Sequence, residues 1–265
     1  MCSSRRPDLA IVVFLLLLPL LWFAPQVVGG KTLLPADNLF AFEPWRSFAA
    51  QAGVTAPHNE LISDLILENY GWKSFIVEAL AAARPADILW NPRTFTGAPF
   101  LAAGQHSALY PLSFIFYILP LWRAYGVFTW LQLGLAAVGM YFFARVLLQS
   151  RPAATLAAIA YTFSGFMIVS VNFSMVIAAA AWLPPLLAMI ELVVRTGEAA
   201  CGRGGEWERG GVGEGESASA PPHPHTPTLP HSPIPYVATG ALLLGIQILA
   251  GHVEITLYVL LVSAI

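Results

Sequence analysis

PADNLFAFEPW (35–45), SDLILENYGWKSF (63–75) and LWNPRTFTGAPFLAAGQHSALYP (89–111) mark out residues 29–105 as acidic, aromatic and turn-rich between strongly apolar runs. A chain made mostly of membrane helix has little use for such a stretch unless chemistry happens at the membrane surface. Asn91-Pro92 and Gly97-Ala98-Pro99 are turn signals. Trp90, Phe95 and Phe100 are placed to hold that turn down on the membrane. Ser63 precedes an irregular amphipathic pattern formed by Leu65, Leu67, Trp72, Phe75, Ile76, Ala79 and Leu80. It is a plausible N-cap, with Asp64 in the first turn where the helix dipole favours a negative charge.

Outward from this stretch the composition is that of an integral membrane protein. The chain is 57% hydrophobic and 11% charged, with a mean hydropathy of +0.67. Soluble domains carry about 25% charged residues. A net charge of -2 gives no nucleic-acid footprint. Cys2 and Cys201 are far apart in polar segments and form no disulfide framework, zinc site or redox pair. Membrane helices need about 20 apolar residues. Leu9–Val28, Gly126–Leu148, Ala153–Val171, Met175–Val194 and Tyr236–Leu260 qualify. The first could be a cleaved leader. It is long for one and no A-x-A site closes it, so it reads as an uncleaved helix with a cytoplasmic N-terminus.

Leu109–Trp122 is short and carries Pro111 and Pro120. If it spanned, Arg145, Arg151, Arg195, Arg203 and Arg209 would face outside and Arg123 alone inside. If it lies along the outer surface, those five face inside. The positive-inside rule selects the second arrangement. The expected fold is therefore an all-α polytopic helix bundle with a large outer-face loop carrying juxtamembrane helices. Its parts are a cytoplasmic N-terminus and first helix (1–28), an extracytoplasmic loop (29–125), three transmembrane helices (126–195), a disordered cytoplasmic insert (196–235) and a fifth helix (236–265). The insert is Gly/Glu/Arg-rich, then Pro/His/Ser-rich, and has too little apolar surface to fold. His223, His225 and His231 alternate with proline without carboxylate or thiolate partners, which reads as linker rather than a metal tract. The chain stops at Ile265 inside an apolar run, as the front part of a longer protein would.

Asp64 and Asp37 are the candidate carboxylates of the outer loop. Each also has a plain reading, Asp64 as a helix N-terminal charge and Asp37 as a turn residue. His252 and Glu254, in LAGHVEITLY, are costly within a membrane helix and are functional candidates for that reason. The plain reading is an interhelical hydrogen bond near the headgroups. On one continuous helix Gly251 would stand roughly 22 Å beyond Tyr236, near the outer face of a ~30 Å core. His252 and Glu254 would then point about 200° apart. Arg93, Gln105 and His106 are polar groups able to meet a phosphate or sugar. No Walker loop, GxGxxG, HExxH or GxSxG motif occurs in its required context.

An outer-face Asp before an aromatic-rich helix, then EAL…LWNP..F.GAPF.A..Q…YPLS, YTFSGF, AWLPPLL and AGHVEI, resembles the YfhO-like bacterial membrane proteins of the GT-C glycosyltransferase superfamily. The resemblance covers about 31–195 and 236–258. It implies a multi-pass enzyme of the bacterial cytoplasmic membrane, moving a sugar from a polyprenyl-phosphate donor to a cell-envelope glycan, lipid or protein acceptor. Asp64 best matches the family's active-site carboxylate, because Tyr70 and Trp72 follow it; Asp37 is the second match. A general base would take the acceptor's hydroxyl proton, and Arg93 or His252 would stabilise the leaving lipid phosphate. No cofactor is implied. The family often has a second acidic residue in the next outer loop, here Ser170–Ser174 without a carboxylate, which weighs against a metal-binding site. The competing classes are a lipid or solute transporter, which calls for broken mid-membrane helices and internal repeats where this sequence shows no repeat and its polar residues cluster toward one face, and a non-catalytic polytopic protein.

Overall fold

The computed structural model describes residues 5–94, 96–209 and 232–263, and it is mostly helical with almost no strand. His223, His225, His231 and Phe95 lie outside the described residues, as do the rest of 210–231 and the side chain of Cys201. Four stretches are long and apolar enough to cross a membrane: Pro7–Val27, Leu121–Val146, Arg151–Asn172 and Ser174–Glu198. They account for α1 (Arg5–Val27) and for most of the bundle that follows the loop.

Between α1 and the bundle the chain forms short turns. These are 3-10 turns at Ala36–Ala41, Trp45–Phe48, Glu60–Ile62, Pro85–Leu89, Leu101–Ala103 and Pro111–Phe114. Among them lie α2 (Ala49–Ala52), α3 (Tyr70–Ala81), a two-residue hairpin of β1 (Trp90–Asn91) and β2 (Ala98–Pro99), and α4 (Ile115–Ile118). The expected helix from Ser63 starts differently. Asn59, not Ser63, supplies the capping side chain, accepting from the Leu61 N–H at the start of the Glu60–Ile62 turn. Residues Leu65–Asn69 then form a π turn that runs into α3. Of the predicted apolar face, Leu65, Phe75, Ile76 and Ala79 are buried, while Leu67 and Leu80 are exposed. Leu109–Trp122 makes no spanning helix: α4 is one turn long, and Leu119-Pro120 ends it before α5 (Leu121–Val146). The loop segment therefore closes at Pro120, ahead of the expected boundary at 125.

α5 is the hub, packing against α1, α6 (Arg151–Thr162), α8 (Ser174–Ala180) and α9 (Leu183–Arg209). A Cβ on Gly126 would stand 2.8 Å from the Gln26 carbonyl oxygen, so only glycine lets α1 and α5 approach this closely. Two contacts fix these helices as antiparallel. Arg123 Nε donates to the Val27 carbonyl, and Thr32 Oγ1 to the Trp122 carbonyl, where α1 ends and α5 begins. At the opposite end Asp8 meets Tyr141 and Arg151. The two ends are called the loop face and the arginine face below.

The expected spans at Ala153–Val171 and Met175–Val194 are not continuous helices. Ser164 interrupts the first, and its Oγ accepts from the Met167 N–H to start α7 (Gly165–Val169). The second breaks at Ala181-Trp182, and Pro184 and Pro185 fall in the first turn of α9, where a missing N–H costs nothing. At its far end α9 stays helical to Arg209, so the segment expected to be disordered from residue 196 is helical at first. The i,i+4 pair Arg195–Glu191 (2.6 Å) and the Thr196 Oγ1 bond to the Leu192 carbonyl carry the helix across that boundary.

The largest departure is the last apolar run. It is two helices, α10 (Ile234–Leu249) and α11 (Val253–Ser263). Leu260 and Ser263 line the same groove as Tyr236, Val237, Gly240 and Leu244. A straight helix would carry Ser263 about 40 Å past Tyr236 at ~1.5 Å per residue. The chain therefore reverses at Ala250–His252. Gly251 makes the turn at φ +86°, a conformation that costs other residues.

Candidate functional site

The polar residues of the loop face gather around the short turns rather than on one helix. Asp37 opens the Ala36–Ala41 turn and is half-buried. Its Oδ2 accepts from the His58 backbone N–H at 2.7 Å and meets His58 Nδ1 at 2.9 Å. These bonds, the backbone one first, hold the carboxyl below its usual range. Asn38 beside it is buried; its Nδ2 donates to the Asn59 carbonyl at 3.0 Å, while its Oδ1 has no partner. A buried acceptor left unpaired costs about 1–3 kcal/mol, so this amide oxygen is a place where a donor would be bound with gain. Asn38, Ala41, Phe42, Glu60 and Ser63 line one cavity of about 390 Å³, within the ~300–1,000 Å³ range of small-molecule sites.

The fold thus brings the Asp37 and Asp64 segments to one cavity, each aspartate one residue from a lining residue. Their side chains differ. Asp37 is committed to His58. Asp64 is exposed, immediately ahead of the π turn, and has no hydrogen-bond or ion-pair partner among the described residues. The π turn ends at buried Asn69, whose Oδ1 accepts from Tyr125 OH at 2.8 Å. That bond ties the Asp64 segment to α5.

The other candidates stand elsewhere. Arg93 is exposed and paired with Glu78 at 2.5 Å, with its guanidinium over the Phe75 ring; that pairing raises its pKa further. Gln105 is exposed at the rim of a separate cavity of about 160 Å³ that also touches Trp72, Asn91 and His106. His106 is 3% exposed and stacked on Phe100 at 4.2 Å. Its Nε2 donates to the Phe100 carbonyl at 2.8 Å and its Nδ1 accepts from the Ala108 N–H at 3.0 Å. Burial lowers its pKa. A phosphate or sugar reaching this ring would have to displace both bonds.

His252 and Glu254 do not share a continuous helix, so the angle expected between them does not apply. His252 sits in the reversal, its Nδ1 accepting from the Ile255 N–H at 3.3 Å as a cap for α11. Glu254 is exposed in the first turn of α11, where the helix dipole accommodates its charge. The reversal itself is seated on the loop. Ser107 Oγ donates to the Ala250 carbonyl at 2.5 Å, and a Cβ on Gly251 would stand 2.3 Å from the Gly104 carbonyl oxygen. The structure therefore joins the Gln105–His106 turn to the His252 turn.

Sequence reasoning passed over Asn38, His58, Glu60 and Lys73. Lys73 is 2% exposed; its Nζ donates to the His106 carbonyl at 2.6 Å and Ser113 Oγ at 3.3 Å, over the Phe116 ring at 4.6 Å. Burial pushes the amine down to about 7. No carboxylate pairs with it among the described residues. No group of three His, Cys, Asp or Glu side chains among the described residues is arranged to hold a metal.

Compared with known protein families, curated proteins and solved structures, the chain matches none. What is established is the coarser class: a mostly helical chain with four helical stretches long and apolar enough to cross a membrane.

Proposed function

We propose that this chain is a GT-C-type membrane glycosyltransferase, YfhO-like in sequence pattern, that moves a sugar from a polyprenyl-phosphate donor to an extracytoplasmic cell-envelope acceptor. The observation that carries the reading is the cavity of about 390 Å³ between the Asp37 and Asp64 segments. It lies in the loop that joins α1 to α5, beside the bundle that would hold a lipid tail. Asp64 is the general base: its carboxylate is exposed and unpaired, free to take the proton of an acceptor hydroxyl attacking the anomeric carbon. Asp37 positions: its bonds to His58 lock the turn that presents Asn38. The unpartnered Asn38 Oδ1 accepts a sugar hydroxyl. His252 lies at the hairpin reversal seated on the loop and is the less committed of the two proposed phosphate partners, since Arg93 is held by Glu78. In this reading the loop face is extracytoplasmic in a bacterial cytoplasmic membrane. The test is sugar transfer from polyprenyl-phosphate donors in membranes carrying the protein. Asp64→Asn should lower it by about 10²–10⁴-fold, the usual worth of a general base, with membrane insertion unchanged. Normal transfer in that variant would remove the assignment.

One observation favours a transporter as the second reading. The chain breaks at Ser164, Ala181-Trp182 and Ala250–His252, and buried Gln247 on α10 has neither amide atom partnered. Discontinuous helices with polar groups beside them are how many transporters build a site. Gln247→Leu separates the two: it should leave sugar transfer intact, and it should abolish solute flux in proteoliposomes if transport is the activity.

A further inference from the structure

We propose that the cleft between α1 and α5 at the arginine face binds the phosphate of one anionic phospholipid, and that Arg145 reads its charge. The cleft holds about 400 Å³ and is lined by Asp8, Val12, Val138, Tyr141, Phe142 and Arg145. Asp8 does not hold the two nearby arginines alike. Asp8 is satisfied mainly by Arg151, whose Nε and Nη2 donate to its two carboxylate oxygens at 3.0 and 2.8 Å. Tyr141 OH adds a third bond at 2.6 Å. Arg145 stands off, with its Nε 3.7 Å from the same carboxylate. Its Nη1 bonds the Gln149 carbonyl. Arg151 thus takes both Asp8 oxygens, and Arg145, 35% exposed, stands at the mouth of the cleft with no closer carboxylate among the described residues.

The rest of the wall decides the ligand's class. Val12, Val138 and Phe142 are apolar, and Phe142 is 42% exposed. A free inorganic anion gains nothing from such a wall. A molecule with a phosphate on an apolar body fills both halves at once, and basic pockets between membrane helices bind lipid headgroups in this way. The cleft is far from the loop cavity. Arg145 lies about 33 Å along α5 from Arg123, at ~1.5 Å per residue, roughly the thickness of a bilayer core. The inference does not depend on the glycosyltransferase reading.

The experiment is lipid retention by the purified full chain in neutral detergent, measured by native mass spectrometry. The probes are phosphatidylglycerol and phosphatidylcholine with matched acyl chains, with and without millimolar inorganic phosphate. The unaltered protein should retain phosphatidylglycerol about 5-fold over phosphatidylcholine, the worth of one basic side chain near an anionic surface. Arg145→Gln should bring that ratio to about 1, while the Asp8–Arg151 pair keeps the helix ends together. Val138→Trp, which fills the apolar half, should reduce retention of both lipids and serves if Arg145→Gln does not fold. Equal retention of both lipids by the unaltered protein, or an unchanged ratio in Arg145→Gln, overturns the proposal. So does displacement of the lipid by inorganic phosphate, which would make the ligand a free anion.

Discussion

Gly251→Ala should loosen the α10–α11 hairpin from the loop, and its size can be worked from the geometry. The backbone turns at φ +86°, and an L-residue in left-handed backbone costs about 1–2 kcal/mol. The new Cβ would stand 2.3 Å from the Gly104 carbonyl oxygen and 3.1 Å from Ser107 Oγ. The nearer atom is backbone and cannot swing aside, so the two turns must part, at about 1–3 kcal/mol for a forced repacking. Parting them stretches the Ser107–Ala250 bond, worth about 1 kcal/mol. The sum is roughly 3–6 kcal/mol, a large share of the stability of a typical domain. Gly245→Ala is the matched control. It lies on α10 with nothing within 4 Å of its added Cβ, and alanine improves helix propensity by about 1 kcal/mol. Unfolding of both variants in mixed micelles, followed by tryptophan fluorescence, gives the comparison. A gap between them below about 1 kcal/mol, the size of one hydrogen bond, would refute the seated-hairpin account.

Three further outcomes follow from buried polar groups. Lys73 has its folded pKa lowered to about 7 from 10.5 by burial, so between those values the unfolded chain binds more protons than the native one. Stability should therefore rise with pH from about 7 to about 10.5, approaching about 1.4 kcal/mol per unit, and urea titrations across that range would show it. Lys73→Met should flatten the rise and raise stability below pH 7; a variant with the parent's slope would sink this account. Tyr125→Phe removes the donor to Asn69 Oδ1, whose Nδ2 is already unpartnered, so about 1–3 kcal/mol should be lost by the same unfolding measurement. No loss would mean that the π turn is not held by α5.

The positions of the long apolar runs were legible because hydropathy over about 20 residues is a strong local signal. Leu109–Trp122 was legible as a non-spanning piece because arginine distribution and two prolines pointed the same way. The hairpin was not. LLLGIQILAGHVEITLYVLL is apolar on both sides of its turn, and glycine in a membrane run is ordinary. The reversal is fixed by where Gly104 and Ser107 lie, which is tertiary information. Lys73 was passed over for the same reason. In YGWKSF it reads as the wet side of an amphipathic helix, yet the chain from His106 to Phe116 covers it. His106 was chosen as a polar candidate because its partners, the Phe100 carbonyl and the Ala108 N–H, are backbone atoms that carry no residue-type signal. The Asp37 and Asp64 segments border one cavity, each aspartate one residue from its lining, and nothing in the sequence separates the paired carboxylate from the unpaired one.

The bond from Ser107 to Ala250 joins positions 143 residues apart. A ribosome adding about 5–20 residues per second needs roughly 7–30 s to make that intervening chain. Throughout that interval the Gly104–Ser107 turn has no Gly251 beside it, although α1, α5 and α6 have already emerged. The loop therefore reaches its final shape only after the α10–α11 hairpin has been made. Order of synthesis and order of completion run in opposite directions here: the early-made surface segment is finished by the late-made hydrophobic one.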